Sequence, residues 1–341
     1  MDDEKEFKQA MMAQSLIPNR IKVDIETDPV SSEEVDEDAA DDPAIWVNPK
    51  DPGASIVFGS NKTSGIHTYD LSGKEVQNIP CGLINNVDVR QGVNFNGKIV
   101  DILAGSNRTD NSILAFFIDT NGKIGGSPDF KFSLGEFIPY GFCLSKDSNN
   151  KVYFFVNDKE GNIFQIDPLI PNVGKTQSGG IIRKMKLPSQ VEGMVVDDEN
   201  EVLFVGEENA GIYKFSSNPE GDTKGTLIPG SNRKNPNIRF DIEGLALIGS
   251  KYLVASSQGN FSYAIFDVEQ SKYLLSFCLD PGKVDGVEET DGIEICTVPL
   301  GPKFPNGIFV AQDGFNYNNE EKLNQNFKFV NLGEITTFLQ K

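Results

Sequence analysis

The chain has 341 residues, 38% of them apolar, enough to fill a sizeable core. Its 31 basic residues stand against 50 acidic ones, a net charge of −19. That balance argues against nucleic acid as a partner, because a phosphate backbone demands a basic footprint. No run approaches eighteen consecutive apolar residues, so no segment is expected to span a membrane.

The first residues, Met1-Asp2-Asp3-Glu4-Lys5-Glu6, are acidic and lack the basic-then-apolar build of a signal peptide. Residues 1–20 read as an N-terminal tail or a short helix, and residues 21–341 as one domain. Residues 21–26 alternate apolar and charged side chains, the mark of a half-buried strand. The acidic stretch 31–38 reads as a surface loop.

From Asp41 a two-part pattern recurs. Its first part is a short apolar strand reached through acidic or glycine residues, as in Asp41-Asp42-Pro43-Ala44-Ile45-Trp46, Glu192-Gly193-Met194-Val195-Val196 and Asp241-Ile242-Glu243-Gly244-Leu245. Its second part is a further apolar run that ends in a polar tip. Starts at 41, 86, 140, 192, 241 and 291 lie 45, 54, 52, 49 and 50 residues apart. A period of about 40–50 residues with several short strands per unit is the signature of a propeller. The predicted fold is therefore all-β, a six-bladed β-propeller of four-stranded antiparallel blades.

In blade one, strands are expected near 43–48, 55–60, 65–70 and 75–79, with Leu71-Ser72-Gly73-Lys74 as a hairpin turn. Blade two repeats the device with Thr120-Asn121-Gly122-Lys123. Blade six offers only three strands of its own, at 292–297, 307–311 and 326–330. Residues 21–26 are expected to supply the fourth and so close the ring.

In a four-stranded meander, the start of the first strand and the turn between the second and third lie on one face of the disc. The polar tips should therefore gather round one mouth of the central channel, where propellers bind ligands. Blades one to three bring Lys62, Arg108 and Lys159 there. Blades four to six bring Glu192, Glu207, Glu208, Asp241, Glu243, Gln258, Asp285, Asp291 and Asp313. A mouth basic on one side and acidic on the other suits an anionic substrate bridged to the acids by metal. Arg and Lys hold phosphate oxygens, and an oxygen-only cage favours Ca²⁺ over zinc or copper. Cross-blade salt bridges and turn caps are the plainer role open to the same residues.

His67 is the sole histidine, so a mechanism needing a histidine pair is excluded; it is expected on a strand surface. Gly174-Lys175-Thr176 lacks the earlier glycine of a nucleotide-binding loop, Leu169 standing in its place. Cys81, Cys143, Cys278 and Cys296 show no metal-site spacing and read as buried thiols.

Several stretches carry a resemblance when taken together. They include Asp41-Asp42-Pro43, Asn61-Lys62, Asn85-Asn86-Val87-Asp88, Ser106-Asn107-Arg108, Tyr140-Gly141-Phe142 and Lys159-Glu160-Gly161. Further along stand Glu192-Gly193-Met194, Asp241-Ile242-Glu243-Gly244, Ser256-Ser257-Gln258-Gly259-Asn260, Thr290-Asp291-Gly292, Gln312-Asp313-Gly314 and Asn324-Gln325-Asn326-Phe327-Lys328. In these the chain resembles the β-propeller phytases, the calcium-dependent 3-phytases of bacteria.

The resemblance implies release of phosphate from phytate, myo-inositol hexakisphosphate, with several Ca²⁺ ions at the top of the channel and a calcium-bound water as nucleophile. It implies that Lys62, Arg108, Tyr140 and Lys159 hold substrate phosphates. It implies that Glu192, Glu208, Asp241, Glu243 and Gln258 carry the catalytic calcium. Asp42, Asp88, Asp285, Asp291, Asp313 and Asn316 would belong to the wider calcium-binding mouth. Phytate, as its calcium complex, would be the partner, an extracellular or periplasmic setting is implied, and a monomer is expected. Three positions depart from the family's pattern. Thr63 follows Lys62 where a second lysine is usual, Phe315 replaces a glutamate, and Glu289 stands where aspartate is frequent. The alternative function is a propeller that binds phosphorylated or other anionic ligands without turnover.

Overall fold

Short runs of Val, Ile and Phe between turn residues lie down as strands in the computed structural model, which describes residues 2–35, 37–170 and 180–340. Gly174, Lys175 and Thr176 lie outside the described residues. Blade one comprises Ala40–Trp46, Ile56–Asn61, Gly65–Asp70 and Glu75–Pro80, each antiparallel to the next. Blade two runs Ile84–Phe95, Lys98–Asn107, Ser112–Ile118 and Phe130–Ser133. Blade three runs Phe142–Lys146, Val152–Asn157, Asn162–Ile166 and Ile181–Lys186. Blade four runs Val191–Asp197, Val202–Glu207, Gly211–Ser216 and Thr226–Leu227. Blade five runs Ile242–Ile248, Tyr252–Ser257, Ser262–Asp267 and Lys272–Pro281. Blade six has Ile293–Cys296, Ile308–Asp313 and Asn326–Asn331.

The first strands touch in cyclic order, blade six returning to blade one, so the molecule is a closed six-bladed propeller. Apolar faces are buried between blades rather than within them. Trp46 and Phe58 of blade one pack with Leu103 and Phe116 of blade two, and Phe95 and Ile102 of blade two pack with Phe142 and Phe154 of blade three. No blade buries its faces alone, which is why the ring must close.

Closure uses the N-terminal segment twice. Ile25–Glu26 pairs antiparallel with the third strand of blade six, Ile25 opposite Phe329 and Glu26 opposite Lys328, and so becomes its outermost strand. Asn19–Val23 instead runs parallel to the last strand of blade five and gives that sheet a fifth member. The expectation that residues 21–26 form one strand of blade six is thus corrected. The strand breaks at Asp24, and Ile21 and Val23 bury themselves in the cluster between blades five and six. Before them, Asp2–Gln14 forms a helix, α1, lying at the Gln258–Asn260 turn.

Blades approach each other so closely at their inner strands that two positions demand glycine. A Cβ on Gly193 would lie 1.8 Å from the carbonyl oxygen of Glu243 in the next blade. One on Gly292 would lie 2.4 Å from a carboxylate oxygen of Asp42.

His67 is not on a strand surface. It is buried in blade one, Nδ1 lies 2.6 Å from a Glu75 oxygen, and burial lowers its pKa against the pull of that carboxylate. All four cysteines are free thiols, three of them buried and Cys81 half-buried.

Candidate active site at the propeller mouth

Three tips are built alike: a capping Asx residue followed by a cation. Asn61 accepts from the backbone N–H of Thr63 at 2.8 Å, Asn107 from that of Thr109 at 3.0 Å, and Asp158 from that of Glu160 at 2.9 Å. Each cap closes a local turn and sets the next residue, Lys62, Arg108 or Lys159, at its apex. On the acidic side the device is a β-bulge. The pairing register shifts between Val191 and Met194 and again between Ile242 and Leu245. The extra residue in each inner strand falls at Glu192-Gly193 and Glu243-Gly244, and a bulge re-aims side chains in this way.

The result is a cavity of about 410 Å³ whose lining includes Lys62, Tyr140, Glu192, Glu208, Asp241, Glu243, Gln258 and Asp291. Basic and acidic residues from four blades, with Tyr140 from a fifth, therefore share one mouth. Carboxylate oxygens of Glu192, Glu208 and Glu243, all buried, lie within 4.8 Å of one another. One oxygen of Glu243 is buried without a hydrogen-bond partner. Three converging carboxylates with an orphaned oxygen, beside the Gln258 amide, form an all-oxygen donor set that fits a hard cation such as Ca²⁺.

The charges register this crowding. Burial first, then the Glu192 charge, raises Glu208 to about 7, with Asp241 adding to the effect. Glu243 is pushed well above the ordinary carboxyl range by burial and by Glu192, with which it shares a hydrogen bond. Burial, assisted by Glu192, raises Asp241, while Arg233 and Asn209 oppose the rise. The Tyr140 hydroxyl is likewise raised by burial and by Glu192. Lys159 lies over the Tyr140 ring, its Nζ 4.3 Å from the centroid. Such a cation–π contact fixes both groups beside the acids.

Lys62 is not a bare cation waiting for phosphate. Its ammonium lies 2.8 Å from Asp38, 3.3 Å from Asp41 and 3.1 Å from Asp291. Burial opposes its charge, but these carboxylates outweigh burial and raise its pKa well above the ordinary lysine value. Asp291 also accepts from the Gln258 amide at 2.6 Å. Arg108 is not among the cavity's lining residues; its Nε is buried without a hydrogen-bond partner.

The structure places the remaining candidates elsewhere. Asp42 and Asp88 line the central channel with Arg90, Asp198 and Glu294. Asp42 accepts the Val87 N–H at 3.1 Å, and Asp88 pairs with Arg90 at 2.8 Å. Asp285, Asp313 and Asn316 all surround the fully buried ammonium of Lys328, together with Glu26 of the closing strand. One oxygen each of Asp285 and Asp313 faces that ammonium, and the other accepts a backbone N–H, from Tyr317 and Glu288 respectively. Glu207 turns to Ser189, accepting from its N–H at 2.8 Å and its hydroxyl at 2.6 Å.

Two cations on the acidic side escaped the sequence reading. Arg233 bonds to Asn209 and acts on Asp241, and Lys322 lines the mouth itself. Division of charge by blade is therefore incomplete. Lys322 lies on a hairpin, Tyr317–Asn318 with Glu321–Lys322, inserted between blade strands and outside the repeat. Its absence from the sixfold pattern hid it.

A closed six-bladed ring with clustered carboxylates, lysines and a half-buried tyrosine at one mouth defines a propeller whose polar end suits a phosphorylated ligand. The phytase family model matches residues 7–341. A curated 3-phytase of Bacillus subtilis (strain 168) is 40% identical over 332 residues, covering 94% of this chain and 85% of that protein. The chain belongs to the phytase family. It is a phosphoric monoester hydrolase, not a ligand-binding propeller without turnover.

Proposed function

We propose that the enzyme releases phosphate from phytate in a calcium-dependent reaction in which water, rather than a protein nucleophile, attacks phosphorus. The observation that carries this reading is the trio Glu192, Glu208 and Glu243, its oxygens within 4.8 Å, in one cavity with Lys62 and Tyr140. Glu192, Glu208 and Glu243, with Asp241 and Gln258, would hold the ion. When bound, calcium supplies charge neutralisation for the phosphoryl group and acidifies water.

The chain's own residues do the rest. Lys159, held against Tyr140, offers donors to phosphate oxygens, and Arg108, whose buried Nε lies outside the cavity's lining, would have to turn toward it to do the same. Lys62 keeps Asp41 and Asp291 compensated and presents positive charge at the cavity wall. Clustered acids with raised pKa hold protons near neutral pH, so cation binding must release them. Histidine-based covalent catalysis has no support here, since His67 is locked inside blade one. A setting rich in free calcium, outside the cell or in the periplasm, fits this requirement.

The test is phosphate release from phytate with added calcium and with excess chelator. We expect turnover in the first and its loss in the second, restored by adding calcium back. Full turnover in chelator would overturn the calcium assignment.

A further inference from the structure

The only histidine of the chain serves no step at the mouth, yet both of its ring nitrogens are engaged. Nδ1 lies 2.6 Å from a Glu75 carboxylate oxygen. Nε2 faces three donors: the Ser31 hydroxyl at 3.2 Å, the Asn61 amide at 3.3 Å and the Ser31 N–H at 3.4 Å. A nitrogen met by donors must accept, so the ring proton sits on Nδ1 and is donated to Glu75. Burial lowers the pKa of the ring and so favours its neutral form. The Tyr69 ring stacks on the imidazole with an interplanar angle of 11°, which fixes its plane.

Ser31 is the exposed end of this line. Val30 before it is buried, its N–H donating to the Gln325 carbonyl at 2.9 Å and its carbonyl accepting from the Asn324 amide at 3.0 Å. The Ser31 carbonyl accepts from the Asn61 amide at 2.7 Å. Its backbone is thus pinned where the hydroxyl meets the imidazole. Carboxylate, neutral imidazole and exposed hydroxyl, each within hydrogen-bond reach of the next, are the parts of an activated serine nucleophile.

We infer that Ser31 and His67, positioned by Glu75, form a second catalytic site that cleaves uncharged carboxylic esters through an acyl-serine. Ser31 Oγ bonds to the carbonyl carbon, its proton passes to His67 Nε2, and the alcohol leaves with that proton. Water then attacks the acyl group, releases the carboxylic acid and restores the hydroxyl. Glu75 takes no proton; it orients the ring and stabilises the imidazolium. Charge selects the ester. Glu33 and Glu34 are exposed beside Ser31 and repel anions such as phosphate esters, which leaves uncharged acyl groups. The Ser64 hydroxyl, 3.4 Å from Ser31 Oγ, is the donor at hand for the developing oxyanion. One hydroxyl is a sparse oxyanion hole, so turnover should be slow and acylation is the step to read.

The experiment treats the full chain with an uncharged fluorophosphonate and locates the attached group by peptide mass analysis. A single label at Ser31 is expected in the wild type and none in Ser31→Ala. His67→Gln should slow labelling about a hundredfold or more, the usual scale of a general base. With p-nitrophenyl acetate, the wild type should give a stoichiometric burst of p-nitrophenolate that Ser31→Ala lacks. Phosphate release from phytate should be equal in wild type and Ser31→Ala, which separates this site from the mouth. Absence of label at Ser31, or equal hydrolysis of p-nitrophenyl acetate by wild type and Ser31→Ala, would overturn the inference. Ser31→Ala, at an exposed position, decides the matter even where the buried His67→Gln fails to fold.

Discussion

At the scale of single residues, the mouth separates side chains that serve the reaction from those that also hold the ring together. Glu192 accepts from the Asn85 amide at 2.7 Å and stands at the centre of the carboxylate trio, so its geometry is set by a neighbour outside the trio. Glu192→Gln keeps that size and removes one charge. Its kcat should fall by roughly a hundredfold, the scale of removing one preorganised charge, with little change in melting temperature. A wild-type rate in the phosphate-release assay would take Glu192 out of the machinery.

Lys62→Ala should behave differently. It removes a proposed substrate cation, which should raise KM, but it also strips compensation from Asp41 and Asp291. Asp41 is only 2% exposed, so an unpaired charge there is costly, about 3–5 kcal/mol if it stays ionised. Thermal unfolding should therefore show a lower Tm for Lys62→Ala than for Lys159→Ala. Lys159 rests on Tyr140, and no carboxylate ion pair is recorded for it among the described residues.

At the scale of elements, the ring closes through residues distant in sequence, and Lys328 ties that closure together. This ammonium gathers Glu26 from the closing strand at 2.5 Å, Asp313 at 3.2 Å and Asp285 into one buried cluster. Lys328→Met would keep most of the volume and leave these acids facing each other. A loss of about 3–5 kcal/mol is expected, read as a fall in denaturant midpoint. Removing residues 2–18 should cost far less than removing residues 2–26, because only the longer deletion takes away both closing strands. Equal midpoints for the two truncations would show that the terminal strands do not close the ring.

Much of this was legible in the chain, for reasons that differ by residue. Repeats report packing, so Glu-Gly and Asp-Gly recur wherever inner strands crowd the next blade, as at Gly193 and Gly292. The tips could be read because Asn61, Asn107 and Asp158 are turn formers with a cation after each. Direction was not legible. Asp41 and Asp42 enter blade one side by side, yet Asp41 pairs with Lys62 of the mouth and Asp42 lines the channel. Pairing across the chain was equally hidden, since nothing local to Asp285 or Asp313 announces Lys328.

At the scale of the whole molecule, an acidic ring that concentrates buried carboxylates at one mouth couples folding to protons and to cations in opposite senses. Burial and mutual repulsion lift Glu208 to about 7 and Asp291 to about 6, the latter against the pull of Lys62. An acid with a raised pKa in the folded state holds its proton there after the unfolded chain has released it. Its stabilising contribution is thus complete below the unfolded value, roughly 4 to 4.5, and is lost as pH climbs through the folded one. With chelator present, the mouth's share of stability should therefore decline between about pH 4.5 and 7. Calcium bound at the mouth as proposed would displace those same protons, so its apparent affinity should rise over the same interval. The gain in Tm on adding a fixed calcium concentration should consequently be small at pH 5 and large at pH 7.5. Scanning unfolding with and without calcium across that range measures both slopes at once. A calcium-induced shift that is flat with pH would mean that the ion does not bind at the carboxylates of the mouth, and Glu208→Gln, which removes one titrating group there, should flatten the slope in part.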